Sequence, residues 1–225
     1  RAVIPMEITS IQSSNLSRGH SQLCPKTFEI QTPEEYVATL KKHKVLVDIQ
    51  ERKESIIEQL GRIEKTTNTK AAMKEEVLKQ VLYLSEWPEL IYTTFDENFL
   101  QIPDEVLISE MVEHQKYFPL MNLSGKLTNI FVITADNTPN EIITSGNIHV
   151  LSARLADGIF LYKQDLKTSL DTFNEKLQTI ILQKDLGTVA EKVTRLKTLS
   201  LTIAQMLHFS DEKSVVRAAS LSKAD

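Results

Sequence analysis

Arg154 and Asp157 stand three residues apart in Arg154-Leu155-Ala156-Asp157, a guanidinium and a carboxylate on the flank of a helical apolar stripe. At that spacing they can pair with each other, which contributes only about 0.2–0.5 kcal/mol on an exposed face. They can also tie their helix to a neighbour. Alternatively, Arg154 presents its planar fork to an anionic ligand such as phosphate. A second dense run, Glu113-His114-Gln115-Lys116-Tyr117-Phe118, puts acid–base groups beside two aromatics at a helix end, where polar residues also serve as caps or docking surfaces. Between Lys163 and Lys197 the cations Lys163, Lys167, Lys176, Lys184, Lys192, Arg195 and Lys197 outnumber the acids. Helical spacing groups Lys184, Lys192, Arg195 and Lys163 near Asp185–Thr188, where the N–H groups of a helix opening at Val189 would face outward toward phosphate. A solvated surface is the plain alternative.

Other catalytic patterns are missing. The five histidines, His20, His43, His114, His149 and His208, fall in separate elements, and none belongs to an HExxH or His-Asp pair, so no metal site is expected. The six glycines form neither GxGxxG nor a Walker loop, and there is no GxSxG elbow. Cys24 precedes Pro25 and reads as a half-buried structural thiol. No catalytic residue is assigned.

The elements that must position these groups fall into two kinds. Val3–Ile11 reads as extended and Thr27–Ile30 as a short strand. Thr32-Pro33-Glu34-Glu35 combines an N-cap Thr, Pro at N1 and Glu at N3, and predicts a helix to about His43. Val45–Val47 reads as a strand, and Asp48 caps a helix with Ile49, Ile56, Ile57, Leu60 and Ile63 inward. Thr66–Thr69 reads as a polar loop. Ala71–Ser85 is a helix burying Val77, Leu78, Val81 and Leu82, Glu89–Phe95 is a strand, and another helix opens at Pro103. Tyr117–Met121 and Leu127–Ala135 flank Asn122–Lys126, a hairpin loop with Gly125 in the left-handed position.

Pro139–Gly146 reads as a linker and Asn147 as the N-cap of a helix burying Leu151, Leu155, Ile159 and Tyr162, with Phe160 and Leu161 widening the stripe. Helices are then expected over Ser169–Leu182 and Val189–His208, and after a Ser210 cap. The fold class is α+β: a mixed domain over residues 1–146 and a helical domain over 147–225.

A chain of 225 residues with 41% hydrophobic and 25% charged residues fits one large or two ordinary globular domains. A net charge of −4 excludes a bulk polycation, so any nucleic-acid contact must come from local patches. The longest apolar runs are too short to span a bilayer, no signal peptide is visible, and a single cysteine fits a reducing compartment. The abrupt ends read as those of a piece of a longer protein.

In order along the chain come Arg18-Gly19-His20, Glu86-Trp87-Pro88, Phe95 with Phe99-Leu100 and Pro103, and His114-Gln115-Lys116-Tyr117-Phe118-Pro119. Gly125-Lys126-Leu127, Gly146-Asn147, Arg154-Leu155-Ala156-Asp157, Leu186-Gly187-Thr188 and Leu221-Ser222-Lys223-Ala224-Asp225 follow. On these motifs the chain resembles the beta subunit of bacterial heterotetrameric glycyl-tRNA synthetase, whose sequences are in some bacteria fused to the alpha part. It departs at Ser21-Gln22, where the family usually has Arg-Phe, and at Ser152-Ala153, where it has Arg-Pro.

The resemblance implies a first domain similar to the editing-site-bearing domain of the phenylalanyl-tRNA synthetase beta chain. The second would be an HD-like helical domain without its metal ligands, continuing beyond this piece. It further implies a non-catalytic module that binds tRNA(Gly) and assembles with the alpha subunit, as alpha2beta2, in the cytoplasm. ATP and magnesium would be used in the alpha part and no cofactor here. A hydrolase of the HD or editing type, with a site near Glu113–Phe118, and a pure scaffold remain the alternatives.

Overall fold

The computed structural model describes residues 3–224. The chain divides into two compact units, Arg1–Ile159 and Phe160–Asp225.

The first unit opens with two small antiparallel hairpins, β1 (Glu7–Ile8) with β2 (Ile11–Gln12), and β3 (Leu16–Arg18) with β4 (Thr27–Glu29). A 3-10 turn at Pro33–Glu35 leads into α1 (Tyr36–Lys42), as the Thr-Pro-Glu-Glu signal predicts; the Glu35 carboxylate accepts the Thr32 N–H at 3.1 Å. The segment expected as a strand at Val45–Val47 is not one. Its Leu46 N–H donates to the Glu86 carbonyl at 2.9 Å, a single bridge with no ladder to extend it.

α2 (Ile49–Thr67) starts where the Asp48 side chain accepts the Gln50 N–H, and it buries Ile56, Leu60 and Ile63, while Ile49 and Ile57 stay exposed. Ile57 lies about 100° around the helix from Ile56, off the stripe that faces the sheet, whereas Ile49 shares that stripe but is the first residue of the helix. The polar stretch Thr66–Thr69 is not a loop. Thr67 is still helical, Asn68 closes the helix at φ +54, and Thr69 begins β5 (Thr69–Ala71), buried. An asparagine in the left-handed region ends a helix as a glycine would.

α3 (Lys74–Val81) follows, and then β6 (Glu89–Thr94). A 3-10 turn at Glu97–Gln101 precedes α4 (Asp104–Ser109), which continues as a π-helical turn over Glu110–His114. β7 (Phe118–Asn122) and β8 (Leu127–Ala135) form the expected hairpin, with Gly125 at φ +80.

These strands make a four-stranded antiparallel sheet, ordered β5-β7-β8-β6. Pro119 sits in an inner strand although it cannot donate to a ladder. The register shifts between Pro119 and Met121, the kind of irregularity that accommodates it. Side chains alternate across the sheet. Phe118, Leu120 and Val132 join Ile56, Leu60, Ile63, Val77, Leu78 and Val81 in one core, so α2 and α3 cover that face. Phe131 points the other way, to Tyr117 (ring centroids 5.1 Å apart) and Phe95 (6.2 Å).

α5 (Glu141–Asp165) begins seven residues earlier than the sequence pattern suggests. The cap is Asn140, whose side chain accepts the Ile143 N–H at 2.9 Å, so Pro139–Gly146 is mostly helix and the expected 146/147 boundary falls inside a continuous helix. Leu151, Leu155 and Gly158 are buried; Phe160 and Leu161, expected to be enclosed, are 60% and 59% exposed.

In the second unit, α6 (Leu170–Lys176) is shorter than expected. Ile180–Leu182 leave the helix, and β9 (Ile181–Gln183) pairs with β10 (Gly187–Thr188). β-branched residues beside a Gly-containing turn favour a hairpin over a further helical turn. α7 (Val189–Met206) buries Val193 and Ala204, leaving Leu199, Ile203 and Leu207 exposed. α8 (Glu212–Leu221) is capped by Asp211, not Ser210, its carboxylate accepting the Ser214 N–H at 3.1 Å. Arg217 on α8 grips Asp171 on α6 with two bonds of 2.5 and 2.8 Å, which holds the Asp171 carboxyl below its usual range.

Candidate functional site

The motif Arg18-Gly19-His20 sits at the centre of a backbone junction. A Cβ on Gly19 would lie 2.5 Å from the Cys24 carbonyl oxygen and 2.9 Å from the His43 carbonyl oxygen, so only glycine lets these segments approach. The His20 N–H donates to His43 O at 3.0 Å, and His43 stacks on Phe28 with ring centroids 3.9 Å apart. His20 is fully buried. Its Nδ1 accepts the N–H groups of Gln22 (3.2 Å) and Leu23 (3.1 Å), which leaves the proton on Nε2, 3.1 Å from Asp136 Oδ1.

Asp136 follows β8. The same Oδ1 accepts the Ser85 hydroxyl at 2.5 Å and the N–H groups of Glu86 (3.1 Å) and Trp87 (3.4 Å). Burial pushes the Asp136 carboxyl up, but the Ser85 hydroxyl, His20 and the Trp87 N–H together outweigh it and hold the group below its usual range. Serine, histidine and aspartate thus meet, but not in the order that activates a nucleophile. The aspartate lies between the other two, the serine donates to the aspartate, and the second histidine nitrogen is occupied by backbone. The trio joins Gly19-His20, Glu86-Trp87-Pro88 and the end of β8. The sequence patterns offered no sign of Asp136, because its partners come from turns about 50 and 116 positions away, separations that only the fold brings together.

The run His114–Phe118 is likewise built into the scaffold. Lys116 turns the chain at φ +60 with its ammonium on the Glu113 carbonyl, so Tyr117 and Phe118 point inward. The Tyr117 hydroxyl donates to Asn147 Oδ1 at 2.5 Å, and the Asn147 amide donates to Ile143 O at 2.7 Å. Asn147, expected as a cap, instead links α5 to the sheet. Burial pushes the Tyr117 phenol up to about 12. His114 is exposed, 3.8 Å from Glu110, whose side chain packs where a Gly158 Cβ would be, 3.3 Å away; Gln115 is half-buried. Arg154 and Asp157 are both exposed on α5. Among the described residues neither comes within 4.0 Å of an opposite charge, so the pairing their spacing allows is not made.

Of the four basic candidates, three gather at one corner. Lys184 is exposed in the β9–β10 turn, Lys192 is half-buried on α7, and Arg195, exposed, donates to the Leu186 carbonyl of that turn at 3.3 Å. Lys163 is exposed on α5, with no bond to that corner. The free N–H groups expected at the start of α7 are taken. Val189 donates to Ile180 O (2.8 Å), Ala190 to Leu177 O (3.2 Å) and Glu191 to the Thr188 hydroxyl (3.2 Å), while the Glu191 carboxylate accepts from Thr188 N–H at 2.6 Å. Any anion there would meet side chains only, with a carboxylate among them. Among the described residues no three His, Cys, Asp or Glu side chains gather as metal ligands, and no helix is long and apolar enough to cross a membrane. Asp225 of the last motif lies outside the described residues.

The family model of the glycyl-tRNA synthetase beta subunit matches residues 1–225. Curated relatives include the glycine–tRNA ligase beta subunits of Clostridioides difficile, 38% identical over 226 residues, and Acaryochloris marina, 40% over 232; each match covers 99% of this chain and 33% of the relative. A glycine–tRNA ligase of Chlamydia muridarum is 39% identical over 223 residues, 22% of its length. The chain therefore spans a third or less of the relatives it matches. With the match running along all of its length, the chain belongs to the glycyl-tRNA synthetase beta subunit family.

Proposed function

We propose that this chain is part of a glycine–tRNA ligase, which attaches glycine to tRNA(Gly) at the expense of ATP in the cytoplasm, and that it acts there as a non-catalytic tRNA-binding and assembly module. The observation that carries the reading is where the family motifs sit. Gly19 and His20, the Glu86-Trp87 backbone, and Tyr117 with Asn147 all hold backbone junctions together, and none is left free to act on a substrate. ATP and magnesium belong to the alpha part, which joins as a separate subunit in an alpha2beta2 assembly or as a fused region, the arrangement to which the longer Chlamydia muridarum relative is similar. The sheet-and-helix first unit is the counterpart of the editing-site-bearing domain of the phenylalanyl-tRNA synthetase beta chain, and the helical second unit begins an HD-like domain.

The test separates the two half-reactions in the parent protein. Tyr117→Ala breaks the α5 anchor; glycine-dependent ATP–pyrophosphate exchange should stay within about twofold of wild type while tRNA(Gly) charging and affinity fall together. Exchange falling in step with charging would place this region in the catalytic machinery and overturn the proposal.

A further inference from the structure

A groove of about 790 Å³ opens in the first unit between the β3 strand, α1, α2 and the turn after α3. Two guanidinium groups line it. Arg52 is clamped by the carbonyls of Leu82 (Nη1, 3.0 Å) and Leu46 (Nη2), its Nε is buried without a partner, and no carboxylate lies within 4.0 Å among the described residues. A fixed, half-buried cation with no counter-charge is costly unless an anion reaches it. Arg18, which also lines the groove, is exposed and unpaired among the described residues. Two tyrosines border the groove with much of their surface in solvent, Tyr36 at 44% and Tyr83 at 68%. Asp136 completes the lining. All its protein contacts fall on Oδ1, so Oδ2 remains an open acceptor.

We infer that this groove receives an unpaired ribonucleotide of RNA, deepening the tRNA-binding reading on which it rests. An aromatic face can stack only on a base that is out of a duplex, and single-strand sites combine such faces with cations that track the backbone. A carboxylate oxygen accepts from a ribose 2′-hydroxyl, which DNA lacks. Glu86 and Asp136 balance Arg18 and Arg52, so the groove suits one or two nucleotides and not the dense phosphates of a helix.

The experiment uses the parent protein with its alpha part and four probes: tRNA(Gly), an unstructured RNA hexanucleotide, its deoxy counterpart, and a blunt RNA duplex. The hexanucleotide should bind at least about threefold tighter than the deoxy strand, and more tightly than the duplex. Tyr83→Ala should weaken it about fivefold or more, the scale of one lost stacked base. Arg18→Ser should lower the log–log salt slope by about 0.7, the value for one neutralised phosphate on a single strand. Both side chains are exposed, so the fold should persist, which unchanged melting verifies. Equal affinity for RNA and DNA strands, or hexanucleotide affinity untouched by both substitutions, overturns the inference. If tRNA(Gly) binds normally but the hexanucleotide does not, the groove assignment falls and the proposed function stands. If tRNA(Gly) itself fails to bind the wild-type protein, both fall.

Discussion

A single carboxylate oxygen, Asp136 Oδ1, accepts from the Ser85 hydroxyl and two backbone N–H groups, with His20 Nε2 3.1 Å away. The folded carboxyl is held below its unfolded value, so the stability it contributes is complete above about pH 4 and is lost as pH falls through the folded pKa. Asp136→Asn should lower the melting temperature at pH 7 by several degrees and flatten the acid limb of a melting curve against pH; an acid limb identical to wild type would show that other carboxylates carry it. Tyr117 has the opposite sign. Its phenol is raised to about 12, so its contribution is complete below pH 10 and is lost as pH rises toward 12. Ultraviolet titration should show one tyrosine ionising about two units late, and Tyr117→Phe should abolish that step while costing roughly 1 kcal/mol for the lost bond to Asn147. Asp157, exposed and with no opposite charge within 4.0 Å among the described residues, should tolerate Asn within about 0.5 kcal/mol.

Elements with a strong local signal were legible, and those fixed by distant partners were not. The hairpin around Gly125, α3 and the Thr32–Glu35 helix start are written in short windows by turn chemistry, periodicity and capping. The polar letters of Thr66–Thr69 read as a loop because nothing nearby reveals that β7 pairs with this stretch; Thr69 is matched to Asn122 and buried. In the candidate site, the Arg18-Gly19-His20 motif was visible, yet its partner Asp136 was not, since no local pattern marks an aspartate after a strand. Limited proteolysis checks these elements. Early cuts should fall in the largely exposed residues 137–140 between β8 and α5, and Asn68 should resist. Since Asn68 holds φ +54, Asn68→Gly should keep or raise stability by a few tenths of a kcal/mol, whereas Asn68→Val should lower it by about 1 kcal/mol. Rapid cleavage at Asn68 would mean that β5 does not hold to β7.

For the whole molecule, the proposed RNA binding has to be reconciled with an acidic chain of net charge −4. A polyanion can be drawn only to places where cations gather and, among the described residues, make no close ion pair. Two such clusters are the groove with Arg18 and Arg52 in the first unit, and the corner with Lys184, Lys192 and Arg195 in the second. They should behave differently. The first offers stacking and a hydroxyl acceptor, so its binding should survive moderate salt. At the second, the α7 N–H groups are already bonded and Glu191 sits among the cations, so any attraction there is that of side-chain charge alone and should be steeply screened. Reversing Lys192 and Arg195 together to Glu in the parent enzyme should weaken tRNA(Gly) binding at low salt. The log–log salt slope should fall by about 0.9 for each phosphate no longer neutralised, with little change in affinity at high salt. Lys192 is half-buried and Arg195 exposed, so melting should move little. An unchanged affinity and slope across the series would assign the corner to ordinary solvated surface and leave the first unit as the RNA-facing part of this chain.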